Sequence, residues 1–350
     1  MKERDILDVI RAGDLSLPPV ELSDLRAIMT ESMDGLLQAR WNGRGWQFAI
    51  KVRARSTPKT LRDAIQSMES VSLPPRTYPL LVVPFLNEEQ LDELAAKNVS
   101  GVDLNGNGVL VVPGELLVLR TGKPNRYPEK SALKNVYRGK VSLAARVFLL
   151  RPHYRAVGEI RDEILARGGE LALSTVSKVL ARLEEDLIVS RDQGGIRLVQ
   201  PQKLLDALVR QYESPKIARR VSGKTSLDIA DFTARLSESV LPRDVRIVPT
   251  GTSSISAYAV MARQGPASFY CTDVNALERS GAEVALFEET ERFANVVLEE
   301  TRDETVYFDI RKNGAGWASP IQVYLELMAG DKRDRETAAQ IAGTILEAVA

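Results

Sequence analysis

In the stretch Leu171–Val199, LALSTVSKVLARLEEDLIVSRDQGGIRLV, hydroxyl and basic side chains recur at a spacing that can do chemistry. Val176, Val179, Leu180 and Leu183 stand at i, i+3, i+4 and i+7, an apolar stripe that calls for a core. Thr175, Ser177, Lys178, Ala181 and Arg182 are left on the other side of the same helix. Hydroxyls and cations along the first half of a helix are the groups that hydrogen-bond base edges and neutralise phosphates in a DNA major groove. Arg191 and Arg197 flank the turn Asp-Gln-Gly-Gly between two short β-like runs, where cations can meet phosphates or the minor groove. Against this stand Glu184, Glu185 and Asp186, which make the far end of the helix acidic, and the use of similar helices for protein contacts.

Other chemistries are weaker. The sole histidine, His153, excludes multi-histidine metal sites, and any Ser-His-Asp or Cys-His arrangement would have to pass through it. Its setting in LLRPHYRAVGEI, a turn after a helix, favours a structural or surface role. The sole cysteine, Cys271, excludes an internal disulfide and a cysteine zinc cluster, which agrees with a reducing compartment. DLNGNG at Asp103–Gly108 matches the first half of a calcium loop, but the twelfth position is Gly114, with Glu115 one residue late, and VLVV replaces the exiting helix. A turn before a strand explains the same letters. VRIVPTGTSSISAYAVM reads as strand, Gly-Thr-Ser-Ser turn and helix, an arrangement that can cradle phosphate or open a nucleotidyltransferase site. No Gly-Lys-Ser/Thr occurs there, no Asp-x-Asp follows closely, and Asp273 stands alone in YCTDVN, so a scaffold of transferase-like ancestry is preferred. No catalytic residue, metal ligand or cofactor is assigned.

The elements that must position these residues follow from pattern. At 350 residues the chain exceeds one usual core, so two or three domains are expected. With 44% hydrophobic and 27% charged residues the composition is globular, the longest apolar run, around YPLLVVPFL, is short of a membrane span, and MKERDILDVIRAGD lacks an apolar signal region, so a cytoplasmic protein with no membrane partner is expected. The net charge of zero hides an asymmetry: between Arg120 and Gln200 there are 16 Lys and Arg against 9 Asp and Glu.

Helices are expected at Glu3–Arg11 and Leu22–Ala39, then a strand in WQFAIKVRA. A helix in TPKTLRDAIQSMES should be capped by Thr57 with Pro58 at its first position. YPLLVVPFL reads as a strand buried on both faces. NEEQLDELAAKN reads as a helix capped by Asn87, and two strands follow in GVDLNGNGVLVV and GELLVLRTG. TGKPNRYPEK reads as a basic linker. Beyond it, KVSLAARVFLLRP, RAVGEIRDEILARGG and Ser174–Asp186 give three helices, and LIVSRDQGGIRLVQP gives a two-stranded wing, the order of a winged helix-turn-helix. Gly168 and Gly169 supply the turn before the third helix, and Ser174 is placed to cap it. KLLDALVRQYE begins a last α/β part, followed by a polar link in SPKIARRVSGKTS, by RFANVVLEE and TVYFDIRKNG, and by closing helices from Ile321; Trp317 reads as a packing residue.

VPFLNEEQLDELAAKNVSGVDLNGNGVLVV, TGKPN, LSTVSKVLARLEEDLIV and SPIQVYLELMAGDKRDRETAAQIAGTIL resemble, in that order, bacterial regulators of the AbiEi-like antitoxin family of type IV toxin–antitoxin systems. The resemblance implies a DNA-binding, autoregulatory transcriptional regulator and a nucleotidyltransferase-like toxin as partner. The N-terminal part also resembles the restriction-endonuclease-like fold, in which a metal-binding Asp precedes an E-x-K strand. Asp34 would be the first acid and Ala49-Ile50-Lys51 stands where E-x-K should be, so the essential glutamate is missing and a cleavage-inactive scaffold is implied.

The expectation is thus a multidomain α/β protein. Residues 1–128 form a degenerate restriction-endonuclease-like α/β domain, 129–202 a winged helix-turn-helix, and 203–350 an α/β domain on a nucleotidyltransferase-like scaffold for dimerisation or partner binding. It would act as a sequence-specific repressor on double-stranded DNA, as a homodimer and not as an enzyme, through Thr175, Ser177, Lys178, Arg182, Arg191 and Arg197. The rival readings are a DNA-processing nuclease of the PD-(D/E)XK type and an antitoxin acting by protein contact alone.

Overall fold

The computed structural model describes residues 1–26, 33–127, 135–228, 231–232, 234–235, 245–260, 265–277, 288–313 and 315–350. The fold is mixed α/β, and the chain divides into two compact units, residues 1–132 and 133–350. The expected boundary at 128/129, at the end of the basic linker, lies outside the described residues.

The first unit is built on a curled seven-stranded sheet whose strands lie in chain order. Its elements are α1 (Glu3–Arg11), β1 (Glu21–Arg26), β2 (Gly35–Trp41), β3 (Arg44–Val52), α2 (Pro58–Glu69), β4 (Thr77–Val83), α3 (Glu88–Ala96), β5 (Ser100–Asp103), β6 (Gly108–Val112) and β7 (Leu116–Arg120). β3, β4 and β5 run parallel, joined by α2 and α3; the remaining pairs are antiparallel. β4 is central and covered on both faces, which its unbroken apolar run requires. Leu80 and Val82 face α1 with Ile6, Ile10 and Phe48, whereas Leu81 and Val83 face α2 and α3 with Leu61, Ile65 and Leu91. Thr57 caps α2, its Oγ1 accepting from the Thr60 amide at 3.2 Å, and Asn87 caps α3, with Gln90 returning the bond.

The helix expected over Leu22–Ala39 is not formed: its ends are β1 and β2, and residues 27–32 lie outside the described residues. The helical spacing of its leucines is overridden by pairing with β3 in the register Gly35↔Ile50, Leu37↔Phe48, Ala39↔Trp46. Gly35, Leu37 and Ala39 are buried and their neighbours less so, a two-residue alternation hidden among good helix formers. GVDLNGNGVLVV likewise holds two strands, β5 and β6. Asp103, wholly buried, accepts from the amides of Leu86 (3.0 Å), Asn105 (2.8 Å) and Asn107 (2.8 Å) and from Asn107 Nδ2 (2.7 Å). The letters of the half calcium loop thus form a turn organised by its first acid, with Gly106 at φ +90°.

In the second unit, α4 (Leu143–Arg146) lies between two 3₁₀ turns, Gly139–Ser142 and Val147–Leu149, in place of one continuous helix. There follow β8 (His153–Tyr154), α5 (Val157–Ala166), α6 (Leu173–Glu185), β9 (Val189–Asp192), β10 (Gly195–Leu198) and α7 (Pro201–Arg210). A five-stranded sheet in the order β12–β13–β15–β11–β14 uses β11 (Arg219–Lys224), β12 (Ile247–Pro249), β13 (Ala267–Cys271), β14 (Glu288–Glu289) and β15 (Val296–Glu300). The hairpin β16 (Arg311–Asn313) and β17 (Ala315–Trp317) precedes α8 (Pro320–Met328) and α9 (Lys332–Glu347). One core runs unbroken across residue 202: Phe148, Ile164, Val179 and Leu183 belong to the same cluster as Leu204, Tyr270, Ile321 and Ile341.

The polar link expected in SPKIARRVSGKTS contains β11. Its charges are absorbed across the sheet, where Arg220 faces and ion-pairs with Glu299 of β15, and Val221 turns inward. The Gly-Thr-Ser-Ser stretch after β12 is a 3₁₀ turn, Thr252–Ala257, in place of the start of an α-helix. Its donors already have partners. The Gly251 amide is bonded to Glu326 at 2.7 Å and Ser253 Oγ accepts from the Ser268 amide at 2.9 Å, so it does not present a free phosphate cradle.

Candidate nucleic-acid interface

The segment from α4 to β10 places three helical pieces before a three-stranded sheet in the order β8–β10–β9. α5 closes at Gly168, where φ is +79° and the Gly169 amide reaches back to the Ile164 carbonyl at 2.9 Å. A side chain at Gly169 would collide with Ile164 and Leu143, so the turn needs glycine at both positions. α6 then begins at once, its apolar stripe Val176, Val179, Leu180 and Leu183 buried as the spacing requires.

Ser174 does not cap α6. The helix starts one residue earlier, with Ala172 at the cap position and the amides of Thr175 and Val176 both bonded to its carbonyl. Only three residues separate Gly169 from Leu173, and the buried stripe sets the register, so Ser174 falls inside the first turn and is exposed. On a helix it shares the outward face with Lys178 and Ala181, both exposed as well.

The six expected contact residues divide into two groups. Lys178 and Arg197 are exposed and carry no ion pair among the described residues. The other four are partly committed. Ser177 is exposed, but its hydroxyl donates to the Leu173 carbonyl at 3.0 Å, and Thr175 is half-buried. Arg182 Nε lies 2.9 Å from Asp186 Oδ2, and Arg191 Nε lies 3.3 Å from Glu184 Oε1. Asp186 is buried and also receives the Tyr137 hydroxyl at 2.5 Å. Burial and this carboxylate push the Tyr137 phenol above its ordinary range, so it stays a donor.

The wing turn is held by Asp192, which accepts from the Gly194 amide at 2.7 Å, and by Gly195 at φ +121°. His153 lies in β8, not in a turn, opposite Arg197 of β10, and its Nε2 is 2.9 Å from the Gly194 carbonyl. It has the structural role its surroundings suggested. Arg155, just after β8, is exposed and unpaired among the described residues, and its Cα adjoins Gly195. Sequence pattern missed it because nothing in RPHYR shows that this segment forms a third strand beside the wing.

Much of the basic surplus of Arg120–Gln200 is neutralised locally. Arg151 pairs with Glu159 and Glu163, Arg167 with Glu163 and Asp309, and Lys140 with Glu304.

The nuclease-like constellation is occupied otherwise. Asp34 Oδ2 accepts from the Val52 amide at 2.7 Å, and Lys51 is buried, a setting that lowers the affinity of its amine for a proton, with the nearby Arg53 acting the same way. No group of three or more His, Cys, Asp or Glu among the described residues could hold a metal ion, and no described helix is long and apolar enough to cross a membrane. Comparison with known proteins found no match, whether to a family model, a curated protein or a solved structure.

Proposed function

We propose that this chain is a sequence-specific DNA-binding regulator of transcription, a repressor of antitoxin type, that reads double-stranded DNA through a winged helix within residues 129–202. The observation that carries the reading is the division of α6, with four apolar side chains in the core and Ser174, Lys178 and Ala181 turned outward. Cations without a local acid are the ones available to phosphate, so Lys178, Arg155 and Arg197 supply the contacts. Thr175, Ser177, Arg182 and Arg191 contribute only as far as their present partners release them. Ser174 and Ala181 join them as residues that can meet base edges or a thymine methyl.

The first unit serves in this proposal as a restriction-endonuclease-like scaffold without cleavage chemistry, with Ala49 where an acid would be needed. The later part of the second unit serves as a nucleotidyltransferase-like scaffold for self-association or a toxin partner, and the protein works as a cytoplasmic homodimer. A mobility shift on the protein's own upstream DNA, with random duplex as competitor and a salt titration, tests the reading. Specific retention that weakens steeply with salt supports it, and equal retention on random duplex counts against it.

One observation favours a second reading, an antitoxin that acts by protein contact. Leu165 and Leu173 are exposed on either side of the α5–α6 turn, and the ion pairs of Arg182 and Arg191 reduce the free charge beside them. Absence of retention on any duplex would transfer the assignment to this reading.

A further inference from the structure

Beneath the DNA-reading segment the second unit buries two opposite charges that do not touch. Arg146 of α4 is 3% exposed; its Nη1 donates to Gln322 Oε1 at 2.8 Å and approaches the Thr305 carbonyl at 3.5 Å, and its Nε has no hydrogen-bond partner. Gln322 of α8 passes the connection on, its Nε2 donating to Glu326 Oε1 at 2.9 Å and to the Tyr212 hydroxyl at 3.3 Å. Glu326, one helical turn further, accepts the Gly251 amide on Oε2 and is hydrogen-bonded to Tyr270 of β13. A side chain at Gly251 would fall 2.7 Å from that oxygen, so the turn is fitted to the carboxyl.

Every element around Glu326 has a defined charge relation to it. Arg146 approaches from α4, Tyr212 from the segment after α7, Tyr270 from β13, Glu299 from β15 and Asp303 from the loop beyond it, while Glu299 is itself paired with Arg220. We propose that Glu326 is a proton-operated joint: as a neutral acid it ties α8 to the Gly251 turn, and release of its proton to solvent leaves a buried anion that loosens the tie. The balance is simple. The acid O–H breaks, the proton leaves to water, and the Tyr270 hydroxyl, which can accept from the acid, turns its own hydrogen to the carboxylate. The proposal goes beyond DNA reading and does not depend on it, although α4 packs on α6 and carries Arg146 at the other end of the relay.

Two physical effects place the change in an accessible range. Burial raises the carboxyl from the ordinary range to about 7, against Gln322, the Gly251 amide and Tyr270, which favour the anion, and with Glu299, which disfavours it. Burial also lowers Arg146, but only to about 10, so it stays a cation in both states. A pairing made directly would hold Glu326 ionised; a relay through a neutral amide does so less.

The test follows hydrogen exchange of the full-length protein, corrected for intrinsic rate, over peptides covering Gly251–Ala257 and Pro320–Met328. Protection in the wild type should fall by up to roughly a hundredfold between about pH 5 and pH 8, since each pH unit of displacement is tenfold. Glu326→Gln should match the wild type at the acid end and stay flat. Equal pH dependence in both proteins, or a flat wild type, overturns the proposal. If Glu326→Gln does not fold, infrared spectra of the wild type decide: a protonated-carboxyl band that is lost as pH rises through about 7 supports the joint, and no such band at the acid end refutes it. Gln322→Leu, which cuts the relay to Arg146, should move the midpoint upward; an unmoved midpoint removes Arg146 from the mechanism.

Discussion

Arg182 and Asp186 stand one helical turn apart on α6, Nε to Oδ2 at 2.9 Å, and the Tyr137 hydroxyl closes on the same carboxylate oxygen. A cation on the expected DNA-reading face therefore also satisfies a buried acid at the end of the helix. Asp186 sits where the helix dipole is negative, so it needs both partners. Arg182 cannot be treated as a free surface charge.

The first prediction separates these roles. Arg182→Ala should destabilise the second unit by about 1 kcal/mol, since Asp186 keeps only Tyr137 and the arginine is itself partly exposed. Lys178→Ala should lie within about 0.5 kcal/mol of wild type. Urea denaturation of the two variants checks this, and equal losses would show that the pair does not matter.

DNA binding should follow the unpaired cations. Lys178→Ala, Arg155→Ala and Arg197→Ala should each weaken retention on every duplex and lower the slope of log affinity against log salt by about 1. Titration from low to physiological salt measures the slopes. A slope unchanged in all three variants contradicts the assignment of these residues to phosphate.

Caps give a third contrast. Thr57→Ala should cost about 1 kcal/mol because its hydroxyl oxygen accepts the Thr60 amide at the start of α2. Ser174→Ala should cost less than about 0.5 kcal/mol, since it lies inside α6 and caps nothing. Thermal unfolding of both variants decides it.

Asp103→Ala should destabilise the first unit by roughly 3 kcal/mol or more, because several donors directed at one buried carboxylate lose their acceptor together. Calcium should not raise the melting temperature of the wild type. A calcium-dependent rise would restore the metal-loop reading of DLNGNG.

The fifth prediction concerns pH. Glu326 holds its proton in the folded state up to about 7, whereas in the unfolded chain it ionises near the ordinary value, 4.5. Between those limits the folded state binds more protons, so its contribution to stability is full below the lower limit and declines as pH rises, levelling above the upper one. The loss is on the order of 3 kcal/mol at about 1.4 kcal/mol per pH unit of displacement. Calorimetry should show the Glu326→Gln transition above that of wild type on the alkaline side, and coincidence there contradicts the burial argument.

Local pattern made several elements legible. Thr57 with Pro58, and Asn87 with Gln90, announced α2 and α3 because capping is settled within four residues. The apolar stripe of α6 and the glycines before it were readable for the same reason. Leu22–Ala39 was misread as helix because its alternation emerges only once β3 lies alongside. β11 was missed because its arginines find their acids on β15, about 80 residues away in sequence.

The site was legible in residue type but not in availability. The sequence by itself determined that α6 has a core side and a polar side, since helical periodicity is a property of a few neighbouring residues. Only the tertiary structure decided which cations were already held by acids, that His153 and Arg155 flank a third strand beside the wing, and that Arg146 and Glu326 share a core. Those relations join residues up to 180 positions apart. Charge and hydrogen-bond partnership act through space, and no spacing along the chain encodes them.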